Sequence, residues 1–198
     1  MTTIALPTGF VPSTFALRSS TVQRAHSSPF GGSEQVVDLL NDRWMASMTL
    51  PPRTRDDAAR IEAFIAAMRG MSNTADLWHF ARPIPKGTMR GSPVLANPLF
   101  QADPNLSIGG LTPGWTLLPG DMIGCNGMLF QISAVCVANG AGQMNALVVN
   151  RARKGAATGT AVTWDRPKVP FRLISTPSVQ YVPGYAEGVA LDFAEVVS

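Results

Sequence analysis

The clearest strand pattern in the chain lies over residues 44–50, where apolar side chains take every second position. These residues are Trp44, Ala46, Met48 and Leu50. A period of two places them on one face of a β-strand, and Pro51-Pro52 ends the strand because proline cannot donate to a ladder. Residues 15–24 and 35–40 predict two further strands. The Ser, Pro and Gly residues over 27–33 predict a loop, and Asn41-Asp42 predicts a turn.

A helix is predicted over residues 54–70, where the apolar period changes to three and four. The apolar stripe consists of Ala58, Ile61, Phe64, Ile65 and Met68. Thr54 is a favourable N-cap, and Asp57 three residues later gives an acidic form of the capping box. Gly70 follows Arg69 and supplies a residue that readily ends a helix in the left-handed conformation. We expect the apolar stripe to pack on the strand at residues 44–50.

The second half of the chain predicts many short strands separated by turns. They fall at residues 77–80, 122–123, 128–137, 144–150, 160–164 and 169–174, with closing strands at 178–182 and 188–196. Asn126-Gly127 favours a primed hairpin turn. The roughly ten-residue spacing is typical of a small antiparallel β-barrel or sandwich. The fold class predicted is therefore mainly β (α+β): residues 1–82 with 176–198 form a β-sandwich with the helix, and residues 83–175 form a Pro/Gly-rich loop and a small β-barrel lobe.

The composition predicts a protein surface that carries little charge. Charged residues are 15% of the chain and its net charge is +3, against about a quarter charged in ordinary soluble domains. Such a surface is expected where other subunits cover much of it. No apolar run reaches the length of a membrane helix, and residues 1–17 lack the basic start of a signal peptide. The two cysteines, Cys125 and Cys136, are expected to be reduced thiols.

Candidate chemistry is sparse. His26 and His79 are the only histidines, and no metal-ligand spacing, Gly-rich phosphate loop or nucleophile with a partner is present. We therefore predict no catalytic, cofactor-binding or metal-binding residues and no enzyme activity. The candidate interface residues are Trp115, Trp164, Arg151, Arg153 and Lys154. The two tryptophans are candidate interface anchors, whereas the basic cluster is either a solvated loop tip or a contact for phosphate.

The order of several segments resembles a known family. A Ser28-Pro29-Phe30-Gly31-Gly32 loop precedes the strand at Trp44, the helix ends in Met68-Arg69-Gly70, and Leu118-Pro119-Gly120-Asp121 precedes the hairpin from Leu129 to Gly142. Together, over about residues 10–193, they resemble distal-tail-type minor tail proteins of long-tailed, siphophage-like bacteriophages and prophages.

The resemblance implies a structural virion protein made in the host cytoplasm. It implies a tail-tube-like β-sandwich and a homo-oligomeric ring, commonly hexameric, that connects the tail-tube protein to the hub proteins of the tail tip or baseplate. Arg151 to Lys154 would then face either DNA passing through the lumen or a neighbouring acidic protein. No membrane partner is implied. Two alternatives stay open: a tail-tube or tail-completion subunit, and a carbohydrate-binding β-sandwich with Trp115 or Trp164 as its stacking platform.

Overall fold

The computed structural model describes residues 1–27, 31–32, 34–38 and 42–197. Most of the predicted 27–33 loop, Asn41 of the predicted turn, and the end of the predicted strand at residues 39–40 lie outside these ranges. The fold is mainly β with one α-helix in the described residues, which confirms the predicted class. The elements in chain order are β1 Thr14–Ser20, β2 Gln23–Ser27, β3 Glu34–Asp38, β4 Arg43–Thr49, α1 Arg55–Met68, β5 Ala75–Leu77, β6 Val94–Leu95, β7 Asn105–Gly109, β8 Thr116–Leu117, β9 Met122–Cys125, β10 Met128–Gln131, β11 Cys136–Val137, β12 Met144–Leu147, β13 Val162–Thr163, β14 Val169–Leu173, β15 Tyr181–Val182, β16 Tyr185–Ala186 and β17 Ala190–Glu195.

The largest sheet has five antiparallel strands in the order β1-β4-β17-β14-β5. Trp44, Ala46 and Met48 of β4 are buried, as their period of two predicted. The strand β14 was assigned to the smaller lobe by the sequence analysis, but it lies between β17 and β5 in this sheet. The predicted strand at residues 77–80 is also wrong in its bounds. The strand β5 covers Ala75–Leu77, so it shares only Leu77 with the predicted range.

The helix forms where the sequence places it and covers one face of this sheet lobe. Thr54 Oγ1 accepts a hydrogen bond from Asp57 N–H at 3.3 Å, which confirms the predicted N-cap. The Asp57 carboxylate accepts from the Thr54 hydroxyl at 3.0 Å instead of from the Thr54 N–H that a capping box would use. Ile61, Phe64 and Met68 are buried in one cluster with residues of β4 and β17. The left-handed conformation begins one residue earlier than expected, at Arg69, where φ is 48°.

Residues 83–168 form an insert between β5 and β14 with a hydrophobic cluster of its own. The insert contains β6 to β13, arranged as small antiparallel sheets in the orders β10-β9-β13, β11-β8 and β12-β7-β6. Among the described residues these sheets do not close into a barrel. Asn126 and Gly127 both have positive φ, 48° and 70°, and join β9 to β10 in the predicted type of turn. The predicted strand at residues 128–137 is two strands, β10 and β11, separated by a bend.

Candidate interface surfaces

A two-stranded hairpin, β2 with β3, extends beyond the five-stranded sheet; we call it the arm. It continues the β1–β4 pair, because Gln23 pairs with Asp38 just beyond the Ser20–Arg43 pair. Five residue pairs correspond to a length of about 17 Å. Every side chain of β2 is exposed, and so are those of residues 34–37 in β3. A two-stranded hairpin has little stability of its own in water, so the arm is a candidate for packing against another surface.

The arm also carries apolar side chains on both of its faces. Val36 and Val37 are 57% and 38% exposed, and Val22 at the base of the arm is 40% exposed. Consecutive residues of a strand point to opposite faces, so neither face of the arm is wholly polar. The arm therefore offers apolar area to be buried against another surface.

The β1 strand is an open edge of the five-stranded sheet. It pairs with β4, and no other strand in the described residues pairs with its outer edge. At the opposite edge β5 is short, and Thr3 forms a parallel bridge with Thr74 just before it begins. Open edges invite pairing with another chain unless they are covered or blunted. A seven-residue edge that leads directly into an exposed arm is therefore a strong candidate for contact between subunits.

The outer face of the β11–β12 region carries a patch of exposed aliphatic side chains. Val135, Val137, Leu147 and Val149 are between 42% and 61% exposed. They alternate with buried Cys136, Ala138, Ala146 and Val148. Ser133 N–H donates to the carbonyl of Leu147 at 2.9 Å, which brings the two segments side by side. This is a second apolar surface on the chain, on the insert rather than on the sheet lobe.

The two candidate tryptophans lie close together around Gly91. Trp164 Nε1–H donates to the carbonyl of Gly91 at 2.8 Å, and a Cβ on Gly91 would lie 3.5 Å from the Trp115 ring. The Arg90 guanidinium stands 5.0 Å from the centre of the Trp164 ring, at a distance typical of a cation–π contact. Both rings are half-buried and pack against the core of the insert. No pattern in the sequence predicts that these two residues lie near each other.

The three basic candidates have separate environments. Arg151 is exposed, and Lys154 is half-buried. Arg153 lies inside the chain: its Nη1 donates to Glu195 Oε2 at 2.9 Å and to the Asp42 carbonyl at 2.6 Å, and its Nη2 donates to Glu195 Oε1. The side chains of Arg153 and Glu195 are 10% and 0% exposed. Arg153 is thus committed to an intramolecular ion pair that joins the insert to the end of β17.

This ion pair belongs to a polar seam between the insert and the sheet lobe, which sequence reasoning missed. Trp44 N–H donates to Glu195 Oε2 at 2.9 Å, and Trp44 Nε1–H donates to the Leu129 carbonyl at 2.9 Å. Asn150 Nδ2 donates to the same carbonyl at 2.8 Å. A sequence signal for Glu195 does exist, because it follows the apolar residues at 191 and 193 with a period of two and therefore shares their inward face.

The remaining titratable candidates are held in apolar surroundings. Burial raises the pKa of the Cys125 thiol to about 11, so it is a thiol rather than a thiolate at neutral pH. Cys136 is free and buried, and its Sγ donates to the Ala134 carbonyl at 3.3 Å. Burial and the charge of Arg82 lower the pKa of His79, whose ring stands edge-on to Phe15 at 5.1 Å. Over the described ranges no three His, Cys, Asp or Glu side chains converge as metal ligands.

The chain matches no model of a protein family, and no curated protein is significantly similar to it in sequence. The described part of the chain contains no helix of the length and apolar character needed to cross a membrane.

Proposed function

We propose that this chain is a structural subunit of a bacteriophage tail, forming a ring between the tail tube and the hub of the tail tip. The observation that carries the proposal is the arm: a hairpin exposed on both faces that continues the β1–β4 pair beyond the main sheet, next to the open edge of β1. The proposal that the ring belongs to a phage tail rests on the segment order, which resembles that of distal-tail-type proteins. The function assigned is assembly, without a catalytic step.

The arm and the β1 edge favour a head-to-tail contact between copies. One subunit contributes the arm and the next contributes a different surface, so each subunit has two unlike faces. Contacts of this heterologous kind generate closed rings when the rotation between subunits closes. A ring also removes the open edge, because each edge is covered by a neighbour. The low charge of the chain suits a subunit with much of its surface in such contacts.

The candidate residues take different parts in this proposal. The half-buried Trp115 and Trp164, which flank Gly91, are candidate anchors for a neighbouring protein of the tail. Arg151 is the exposed cation of its cluster and is the candidate for contact with DNA in the lumen. Arg153 acts within one subunit, because its guanidinium donates hydrogen bonds to Glu195 and to the Asp42 carbonyl.

The experiment compares the wild-type chain with a variant that lacks the arm. Residues 22–41 are replaced by Asn-Gly, which closes the β1–β4 pair with a short turn. Light scattering after size-exclusion chromatography gives the mass of each species, and negative-stain electron microscopy shows its shape. We expect single rings for the wild type and smaller species for the variant. A matched control, Val11→Ala, changes a 66% exposed valine away from the arm and should leave the rings intact.

Three results would contradict the proposal. The first is a wild-type monomer at the highest soluble concentration, both alone and mixed with a tail-tube protein and tip proteins. The second is a ring that forms equally well without the arm. The third is long stacks of rings from the wild-type chain alone, which would instead identify a tail-tube subunit.

A further inference from the structure

The outward face of the β12-β7-β6 sheet forms a groove of about 300 Å³. Its floor is a row of small polar side chains on adjacent strands: Asn145 of β12 pairs with Ser107 of β7, and Asn97 Nδ2 donates to Ser107 Oγ at 3.3 Å. Asn105 lies two residues from Ser107 along β7 and so shares its face. Phe100 lines the groove with 64% of its surface exposed. None of these residues was singled out by the sequence.

The segment that presents Phe100 is held in one conformation. Phe100 N–H donates to Asp103 Oδ2 at 2.8 Å, which closes the turn. Ala102 has φ of 71°, a left-handed value that a non-glycine residue adopts at a cost, and its N–H donates to the Ala152 carbonyl at 2.7 Å. Leu99 is buried and bonded in both directions to Ala156. The backbone that carries the exposed ring is therefore held by hydrogen bonds, so ligand binding would have to order little more than the Phe100 side chain.

The chemistry of the lining selects a class of ligand. Three amides and a hydroxyl supply both donors and acceptors, so they suit a ligand that also offers both. Among the described residues, Asp103 is the single charged member of the lining and no Lys, Arg or His takes part, which disfavours phosphate and other anions. An exposed aromatic ring suits a ligand with an apolar face beside its hydroxyls. Sugars in the pyranose form combine these two features.

We propose that this groove binds a neutral oligosaccharide, with Phe100 stacking on the apolar face of one sugar ring and Asn97, Ser107 and Asn145 bonding its hydroxyls. The two tryptophans suit this task less well, because Arg90 stands over the Trp164 ring and Trp115 packs beside Gly91. The site lies on the insert and uses no residue of the arm or the β1 edge. It therefore stands or falls independently of the ring.

The test is calorimetric titration of the full chain with defined tetrasaccharides. Cellotetraose, maltotetraose, chitotetraose and mannotetraose are the neutral probes, and tetragalacturonate is the anionic control. The groove is open, so we expect a dissociation constant of about 1 mM for at least one neutral probe, and probes are titrated to about 5 mM. Phe100→Ala should weaken that binding by about tenfold or more, because the stacking surface is lost.

Matched variants separate this outcome from a change in folding. Tyr185→Ala is the control. It removes a 47% exposed aromatic ring from β16, which lies outside the insert, and this variant should bind the sugars as the wild type does. Asn145→Ala removes one amide from the floor and should weaken binding while the thermal midpoint stays unchanged. The proposal is overturned if no neutral probe binds, if only tetragalacturonate binds, or if Phe100→Ala binds as tightly as the wild type. Phe100→Ala that separates subunits without any sugar binding would likewise overturn it, since the groove would then hold a protein.

Discussion

Replacing Arg153 with methionine tests whether the ion pair with Glu195 holds the insert on the sheet lobe. Methionine keeps much of the aliphatic side chain and removes the guanidinium. Glu195, whose side chain is 0% exposed, would lose the two hydrogen bonds that Arg153 donates to it from Nη1 and Nη2. Its remaining donor in the described structure is the Trp44 N–H at 2.9 Å. The Asp42 carbonyl would lose its bond to Arg153 as well.

The magnitude follows from the burial of the two side chains. Breaking a buried ion pair by removing one partner costs about 3–5 kcal/mol, because it leaves an uncompensated charge out of water. Glu195 keeps the Trp44 donor, and the Arg153 side chain is 10% exposed, so we expect about 3 kcal/mol, at the lower end of that range. In a chain of this size about 1 kcal/mol lowers the thermal midpoint by 2–4 °C, so the variant should melt about 6–12 °C lower.

Urea denaturation, followed by tryptophan fluorescence and by circular dichroism, measures this free energy of unfolding. The matched variant is Arg153→Met with Glu195→Gln, which removes both charges. It should recover most of the lost stability, to within about 1 kcal/mol of the wild type, because no charge is left buried. An Arg153→Met variant as stable as the wild type would refute the reasoning. So would a double variant no more stable than the single one, since the penalty would then not be electrostatic.

Three further predictions concern the cores and turns of the chain. Trp44→Ala should lower the free energy of unfolding by about 3–5 kcal/mol, and an unchanged melting curve would contradict the buried position of the ring. Gly142→Ala should destabilise by about 2 kcal/mol or more, because its φ is 69° and a Cβ would meet the Leu111 carbonyl oxygen at 2.3 Å; Gly140→Ala, in open space, is the control and should be near neutral in urea denaturation. Between pH 9 and 11 the unfolded chain loses the Cys125 proton while the folded chain keeps it, so stability should fall with rising pH across that window, and less steeply in Cys125→Ala.

The sequence predicted best those features that neighbouring residues determine. Thr54 forms the predicted N-cap, and Asn126-Gly127 forms the predicted turn, because capping and turn geometry depend on a few consecutive residues. The buried face of β4 followed from a period of two. In each case a local pattern has one low-energy conformation.

The features that the sequence did not predict depend on pairing between distant segments. A strand such as β14 has the same alternation whichever sheet it joins, so its place between β17 and β5 could not be assigned from its own residues. Arg153 and Glu195 are 42 positions apart, and an arginine in a basic run ordinarily lies in water. The groove around Phe100 is lined by residues 97–104 and by two strands, β7 and β12, that are distant in sequence.

Arg153 connects these non-local features, because one guanidinium bonds both the end of β17 and the residue that leads into β4. Asp42, whose carbonyl accepts from Arg153 at 2.6 Å, lies at the base of the arm, one residue before β4 begins. The insert therefore fixes the point from which the arm leaves the sheet. If the arm contacts a neighbouring subunit, its direction depends on whether the insert is docked, and the buried charge of Glu195 makes the undocked arrangement costly. Under the proposed head-to-tail contact, the seam would therefore influence the angle between successive subunits, and that angle would decide whether the contact closes into a ring or continues as an open helix.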